Sequence, residues 1–135
     1  MKLLIDANIV LDVLQAREPH LRDSALIWKL CETEQAEGWV TALSFANLVY
    51  VMRRELSPEQ VKELLAKLRL IFRFADYTAA DMNRAAELCR PDFEDVVQAV
   101  TAERLGADCI ITRNVRDYKR SPVPALTPAE YLAGH

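Results

Sequence analysis

The feature that most constrains this chain is an alternation of short apolar runs with helix-period segments, with no hairpin turn signal between them. Lys2–Ile5 is an apolar run that stops abruptly at Asp6. Further short runs fall at 39–42, at 70–74, at 108–112 around Cys109-Ile110-Ile111, and at 123–126. Between them the spacing predicts a helix over 24–37, with Ala25, Trp28 and Cys31 in phase and Gly38 as its stop. Ser44 reads as the N-cap of the next helix, in which Phe45, Leu48, Val49 and Met52 fit i, i+3, i+4, i+7. Ser57-Pro58-Glu59-Gln60 is a capping box with proline at the first helical position, followed by the stripe Val61, Leu64, Leu65 and Leu68. Thr78 caps a helix whose Met82, Ala85, Ala86 and Cys89 share a face. Pro91 breaks the chain, a helix runs from Asp92 or Phe93 to Gly106, and Thr127-Pro128-Ala129-Glu130 opens the last one. Strands separated by helices imply an α/β fold, a three-layer α/β/α sandwich on an open parallel sheet of four to five strands. One domain over 1–135 accounts for every segment.

Size is consistent with that. A chain of 135 residues and 15.3 kDa folds to roughly 7,000 Å² of surface from about 22,000 Å² extended, enough burial for a core without staples. The 3 glycines include no phosphate-cradling pattern. Cys31, Cys89 and Cys109 are odd in number, widely spaced and accompanied by 2 histidines, which argues against a zinc site or a disulfide framework. They read as small core residues of a reducing compartment. The first residues do not form a signal peptide, and the charge-free stretch 38–52 is too short and polar to span a bilayer. A soluble, cytoplasmic protein is expected. Net charge is −3, no global signal for nucleic acid. Arg113, Arg116, Lys119 and Arg120 nevertheless cluster around a single acid, Asp117, with Arg53 and Arg54 forming a smaller basic spot. Such charges are a solvated face unless they surround something.

In open parallel sheets the functional crevice lies beyond the carboxyl ends of the strands. Asp6 ends the first run; Thr112, Asn114 and Asp117 follow the fourth; Asp92, Glu94 and Asp95 begin a helix after a proline. Taken singly, the 92–95 acids read as helix caps, Asp117 as a turn residue, and Asp12 as a solvated helix position or a local salt-bridge partner. Asp6 resists that treatment, because an acid closing an apolar strand is costly without a partner. Converging carboxylates repel one another and call for a cation. An oxygen-only set favours Mg2+ or Mn2+.

Three stretches together resemble a known family. Leu-Leu-Ile-Asp6-Ala-Asn8-Ile-Val-Leu-Asp12 resembles the first motif of PIN-domain ribonucleases, and Asp92-Phe93-Glu94-Asp95-Val-Val-Gln-Ala the central motif of a subgroup with a Phe-Glu-Asp signature. Ile111-Thr112-Arg113-Asn114-Val-Arg-Asp117-Tyr118 is similar to the closing motif, with tyrosine in place of phenylalanine. The tail, Val-Pro-Ala-Leu-Thr-Pro-Ala-Glu-Tyr-Leu, resembles that subgroup's ending. The resemblance covers essentially the whole chain in the right order. It implies a Mg2+- or Mn2+-dependent endoribonuclease for single-stranded RNA, often the toxin of a VapBC-type toxin–antitoxin pair. Carried over by position, Asp6, Asp95 and Asp117 are the catalytic, metal-binding acids. Asn8, Thr112 and Asn114 support them, and Glu94 or Asp92 ligates through water. Arg113, Arg116, Lys119 and Arg120 then line the rim and contact the RNA backbone. Many PIN nucleases carry a glutamate early in the helix after the second strand. Asn47 stands there and offers a carbonyl oxygen without charge.

Other readings are weaker. A haloacid-dehalogenase-like phosphatase wants an acid where Asn8 stands, and a response-regulator receiver wants paired acids before its phosphoacceptor. The stronger rival is a PIN-like fold that has lost catalysis and binds RNA or protein, which Asn47 keeps open. The stripes 45–52 and 61–68 exceed what a small sheet needs. Either both are buried in the monomer, or their remnants serve a homodimer or an antitoxin's amphipathic helix. A homodimer is expected.

Overall fold

The computed structural model describes residues 1–88 and 90–134. Strand β1 (Lys2–Ile5) lies at the centre of the sheet and α1 (Ala7–Leu14) follows it directly. The chain continues through α2 (Leu21–Glu32), β2 (Glu37–Thr41), α3 (Ala42–Met52), α4 (Pro58–Ile71), β3 (Arg73–Ala75) and α5 (Ala79–Glu87). It then forms α6 (Phe93–Leu105), β4 (Cys109–Ile111), a 3-10 turn (Val115–Tyr118), β5 (Ala125–Leu126) and α7 (Pro128–Gly134). The five strands are parallel in the order β3-β2-β1-β4-β5, the α/β sandwich expected. The chain moves outward from β1 through β2 and β3, then returns to lay β4 on its other side. That reversal puts the carboxyl ends of β1 and β4 next to each other, and Ile5 pairs with Ile111. Asp6 and Thr112 therefore leave the sheet at the same level.

Alternate residues of each strand face opposite layers. Leu3, Ile5, Val40, Cys109 and Ile111 pack beneath α1–α4 and α7, where Ile9, Ile27, Leu48, Leu68 and Tyr131 complete the larger core. Leu4 and Ile110 face the other way, against Ala99 and Ala102 of α6 and the Tyr118 ring. Ala85 of α5 packs on Val96, Val97 and Val100 of α6 in a smaller cluster.

Three local expectations are corrected. First, α2 ends at Glu32 and Gly38 lies inside β2 rather than stopping a helix. The reason is steric: a Cβ on Gly38 would sit 2.6 Å from Cys31 Sγ and 3.0 Å from Phe72 Cδ1, so the glycine lets α2 and the end of α4 press onto the strand. Second, the cap of α3 is Thr41, whose Oγ1 accepts from the Ser44 amide at 3.2 Å, because β2 runs into α3 without a loop. Third, the aromatic run at 70–74 is split. Helix α4, started by the Ser57–Gln60 capping box, persists to Ile71, and only Arg73–Ala75 forms strand. Thr78 caps α5 as predicted, its box completed by Asp81, and the Thr127–Glu130 box forms.

The apolar stripes are unevenly used. Leu48, Met52 and Leu68 are buried, whereas Val61, Leu64 and Leu65 are half-buried and Leu70 is 88 % exposed. On α5, Ala85 is buried and Met82 exposed; Cys89 lies outside the described residues. Cys31 and Cys109 are buried thiols, pushed up to about 12 and about 11 by burial. No helix among the described residues is long and apolar enough to cross a membrane.

Gly38→Ala is expected to destabilise the fold by about 1–3 kcal/mol through overpacking, read as a lower urea midpoint. Adding Cys31→Ala should recover part of that loss; a Gly38→Ala protein as stable as wild type would show that the two layers yield freely.

Candidate metal centre

Asp6 is the first residue beyond β1. Its amide donates to the Ile111 carbonyl at 2.9 Å and its carbonyl accepts from the Ile9 amide at 3.0 Å, so its backbone is fixed by both β4 and α1. Its side chain does not cap α1; Oδ2 accepts from Thr112 Oγ1 at 2.9 Å. Burial raises the Asp6 carboxyl above the usual range, outweighing the Thr112 hydroxyl, the nearby amides of Asn8 and Ala7 and the Arg113 charge. Thr112 is fully buried, and its Oγ1 also accepts from the Asn114 amide at 3.1 Å. Asn114 in turn starts the 3-10 turn, its carbonyl accepting from the Asp117 amide at 3.0 Å. One hydroxyl thus ties the end of β1 to the turn that carries Asp117.

The second acidic group comes from the start of α6. Asp92 is its N-cap, with Glu94 and Asp95 in the first turn. Asp92, Asp95 and Asp117 each offer a carboxylate oxygen, and these lie within 4.8 Å of one another. Tyr118 Oη donates to Asp95 Oδ1 at 3.3 Å. Asp95 is pushed up to about 7, first by burial, then by its hydrogen bond with Asp92 and the charges of Asp92 and Asp117, against the Tyr118 hydroxyl. The Tyr118 hydroxyl is itself raised by burial and by the charges of Asp6 and Asp95, which places it within electrostatic reach of both.

The structure thus gathers Asp92, Asp95 and Asp117 most tightly, with Asp6 bonded to Thr112 on the sheet side. Asn8, in the first turn of α1, accepts from Arg17 Nη1 at 3.4 Å through Oδ1. Asn47 of α3 donates to Glu94 Oε1 at 3.1 Å, so a carboxylate from α6 stands against the position where a charge is missing from α3. A cleft of about 390 Å³ opens beside the acids, with Arg116, Lys119 and Arg120 on its wall and Val96, Ala99 and Tyr118 as an apolar floor. Arg113 is not on that wall; its guanidinium pairs with Asp12, Nε to Oδ2 at 3.4 Å.

Three participants were not foreseen. Asp12 is fully buried rather than solvated, and its salt-bridge partner is distant in sequence. The signal lay in α1, whose Ile9-Val10-Leu11-Asp12-Val13-Leu14 run leaves no polar face for an acid. Arg90 lines the acid cleft and donates to the Arg120 carbonyl at 3.2 Å. Tyr118 was legible as the departure from phenylalanine, and that departure supplies the hydroxyl on Asp95.

The comparisons with known proteins agree with this fold. The model of the PIN domain matches residues 2–116. The chain belongs to the PIN-domain family. A search of curated protein sequences finds no match. Among solved structures, it is similar to DNA-bound VapBC from Salmonella typhimurium, with a TM-score of 0.69 at 18% identity over 95% of this chain and 98% of that one. VapBC2 from Rickettsia felis, bound to a promoter DNA fragment, gives 0.67 at 18% identity over 94% and 98%. VapC20 from Mycobacterium tuberculosis, a sarcin-ricin-loop-cleaving toxin, gives 0.63 at 14% identity over 80% and 86%. At these identities the likeness is one of fold.

The donor set of this PIN domain fits a divalent cation. Its acids supply oxygen only, they crowd within 4.8 Å, and the Asp95 carboxyl is raised by burial and then by its bond to Asp92 and the Asp92 and Asp117 charges. The sign of the pH dependence follows. Asp95 holds its proton more tightly folded than at its ordinary 3.8. Its contribution to stability is therefore full below that value and lost as pH rises through about 7. The metal-free protein should melt a few degrees lower at pH 8 than at pH 5, and Asp95→Asn should reduce that difference, leaving the share due to Asp6, and melt at or above wild type at pH 8. Thermal denaturation followed by circular dichroism checks both. A variant melting far below wild type would mean that Asp95 serves chiefly the first turn of α6.

Proposed function

We propose that this PIN-domain protein is a Mg2+- or Mn2+-dependent endoribonuclease of single-stranded RNA and the toxin of a VapBC-type pair. The observation that carries the reading is the convergence of Asp92, Asp95 and Asp117, together with Asp6 held by Thr112 where β1 and β4 end. Asp6, Asp95 and Asp117 would hold the ion; Asn8, Thr112 and Asn114 support them, and Asp92 and Glu94 act through water. When bound, the ion supplies Lewis acidity toward a phosphodiester and a water acidified toward hydroxide. The chain's own part is positional. Thr112 holds Asp6 in one orientation, Tyr118 holds Asp95, and Asn47 holds Glu94 over the α3 side. No cysteine or histidine lines the acid cleft among the described residues, which favours direct attack by water over a covalent intermediate. Arg116, Lys119 and Arg120, exposed on the cleft wall, suit an RNA backbone entering from that side.

Cleavage of single-stranded RNA is expected with Mg2+ or Mn2+ and not after EDTA. Asp6→Asn and Asp117→Asn should each lower the rate at least about a hundredfold without lowering the melting temperature. Activity that survives complete chelation would overturn the reading.

Partners are part of the same proposal. A toxin–antitoxin complex from Klebsiella pneumoniae is among the structures of similar fold, and the exposed Leu70 and Tyr50 leave apolar surface on α4 and α3 for a second chain. We propose a homodimer, with an antitoxin as a further partner. Light scattering at micromolar concentration should give about twice the chain mass of 15.3 kDa, and a strictly monomeric mass would refute it.

A further inference from the structure

Asp12 has no exposed surface, and it is the only charged side chain among the described residues of which this is true. Ser24 Oγ of α2 donates to its Oδ2 at 3.0 Å, and Arg113 Nε approaches the same oxygen at 3.4 Å. Asp12 Oδ1 has no hydrogen-bond partner, and neither does Arg113 Nε. The pair is therefore held by charge rather than by an aligned fork of hydrogen bonds, and the guanidinium can turn if its counter-charge is removed.

Where it would turn is constrained. Arg113 follows Thr112, the residue whose hydroxyl fixes Asp6, and its charge already acts on Asp6. Asp6 is the N-cap of α1 and Asp12 a buried position inside that helix. The other acids along the clefts that Arg113 lines are Asp23, Asp117 and Glu130. Arg113 is only 28 % exposed, so a guanidinium deprived of Asp12 must find another carboxylate or remain partly buried without one. Asp6 is an acid on which the Arg113 charge already acts, and Coulombic attraction grows as the local dielectric falls.

We propose that Asp12 is a positioning residue of the metal centre: it holds the Arg113 guanidinium away from Asp6 and so keeps the Asp6 carboxylate free for a divalent cation. This rests on the metal-dependent reading above. It separates Arg113 from the exposed basic residues of the rim. Its role is set by the acid beneath it rather than by RNA.

The test is calorimetric titration of the full chain with Mn2+, comparing wild type, Asp12→Asn, Arg113→Met and the double variant. Asp12→Asn keeps the shape and an acceptor for Ser24 while removing the charge. It should weaken Mn2+ binding about tenfold, the scale of one competing charge at a partly buried site. Arg113→Met and the double variant should bind within about twofold of wild type, since the competitor is gone. If the pair is only a staple for the 112–117 segment, all three variants will bind weakly, which overturns the proposal. Unchanged affinity in Asp12→Asn, as when the guanidinium turns to Asp23 or Glu130, overturns it too. Should Asp12→Asn not fold, Asp12→Ser takes its place with the same readings: about tenfold weaker binding supports the proposal and unchanged affinity refutes it. A wild-type protein that binds no Mn2+ removes the metal reading and this inference together, a result distinct from the other two.

Discussion

Carboxylates brought to one edge of a parallel sheet repel one another, and the details around this edge are ways of bearing that repulsion. The order β3-β2-β1-β4-β5 leaves no choice about where the ends of β1 and β4 meet, and both are followed at once by polar residues. Thr112 absorbs part of the cost by donating to Asp6. The dipole at the start of α6 favours negative charge at Asp92, Glu94 and Asp95. Burial, and after it the hydrogen bond with Asp92 and the Asp92 and Asp117 charges, keeps the Asp95 carboxyl elevated.

A second buried acid shows what full compensation looks like. Asp81 is 3 % exposed, and Arg104 Nε reaches both of its oxygens at 3.0 Å. Although burial opposes ionisation there, the Arg104 hydrogen bond and charge, with Thr78, hold its carboxyl below the usual range. Asp81 and Asp95 stand on adjoining helices of the same layer, yet one is neutralised by the chain and the other is not. A pair such as Asp81–Arg104 contributes to the packing of α5 against α6. An acid left without such a partner beside two others is arranged for something the chain does not contain. Asp12 and Arg113 occupy the middle ground, a charge pair inside the fold and next to the site.

Much of this was readable from residue order. The abrupt stop at Asp6, the proline before Asp92 and the polar residues after Ile111 locate the ends of the right elements, because strand and helix termini are where backbone groups need local polar partners. The capping boxes at Ser57 and Thr127 and the cap at Thr78 formed for the same reason. Gly38 misled because its role is a close approach by Cys31 and Phe72 from two other elements, and nothing in its immediate neighbours announces that. Ser44 misled because Thr41, at the end of β2, was already in position to cap. The stripe on α4 was legible as apolar, but only the sheet beneath it decides that Leu68 is covered and Leu70 is not.

The sequence by itself determined the α/β class, the parallel sheet and the stretches that carry acids, since periodicity and termini are local properties of the chain. It also carried the resemblance that ties those stretches to the PIN domain. Only the tertiary structure decided which acids meet. Asp92 joins Asp95 and Asp117 within 4.8 Å, Glu94 turns to Asn47, and Asp12 goes inside to Arg113. Those outcomes depend on distances between residues up to 101 positions apart, which follow from the order of strands and the angle of helices rather than from any local pattern. The sign of a charge is written in the chain; whether it is neutralised depends on what the fold sets beside it.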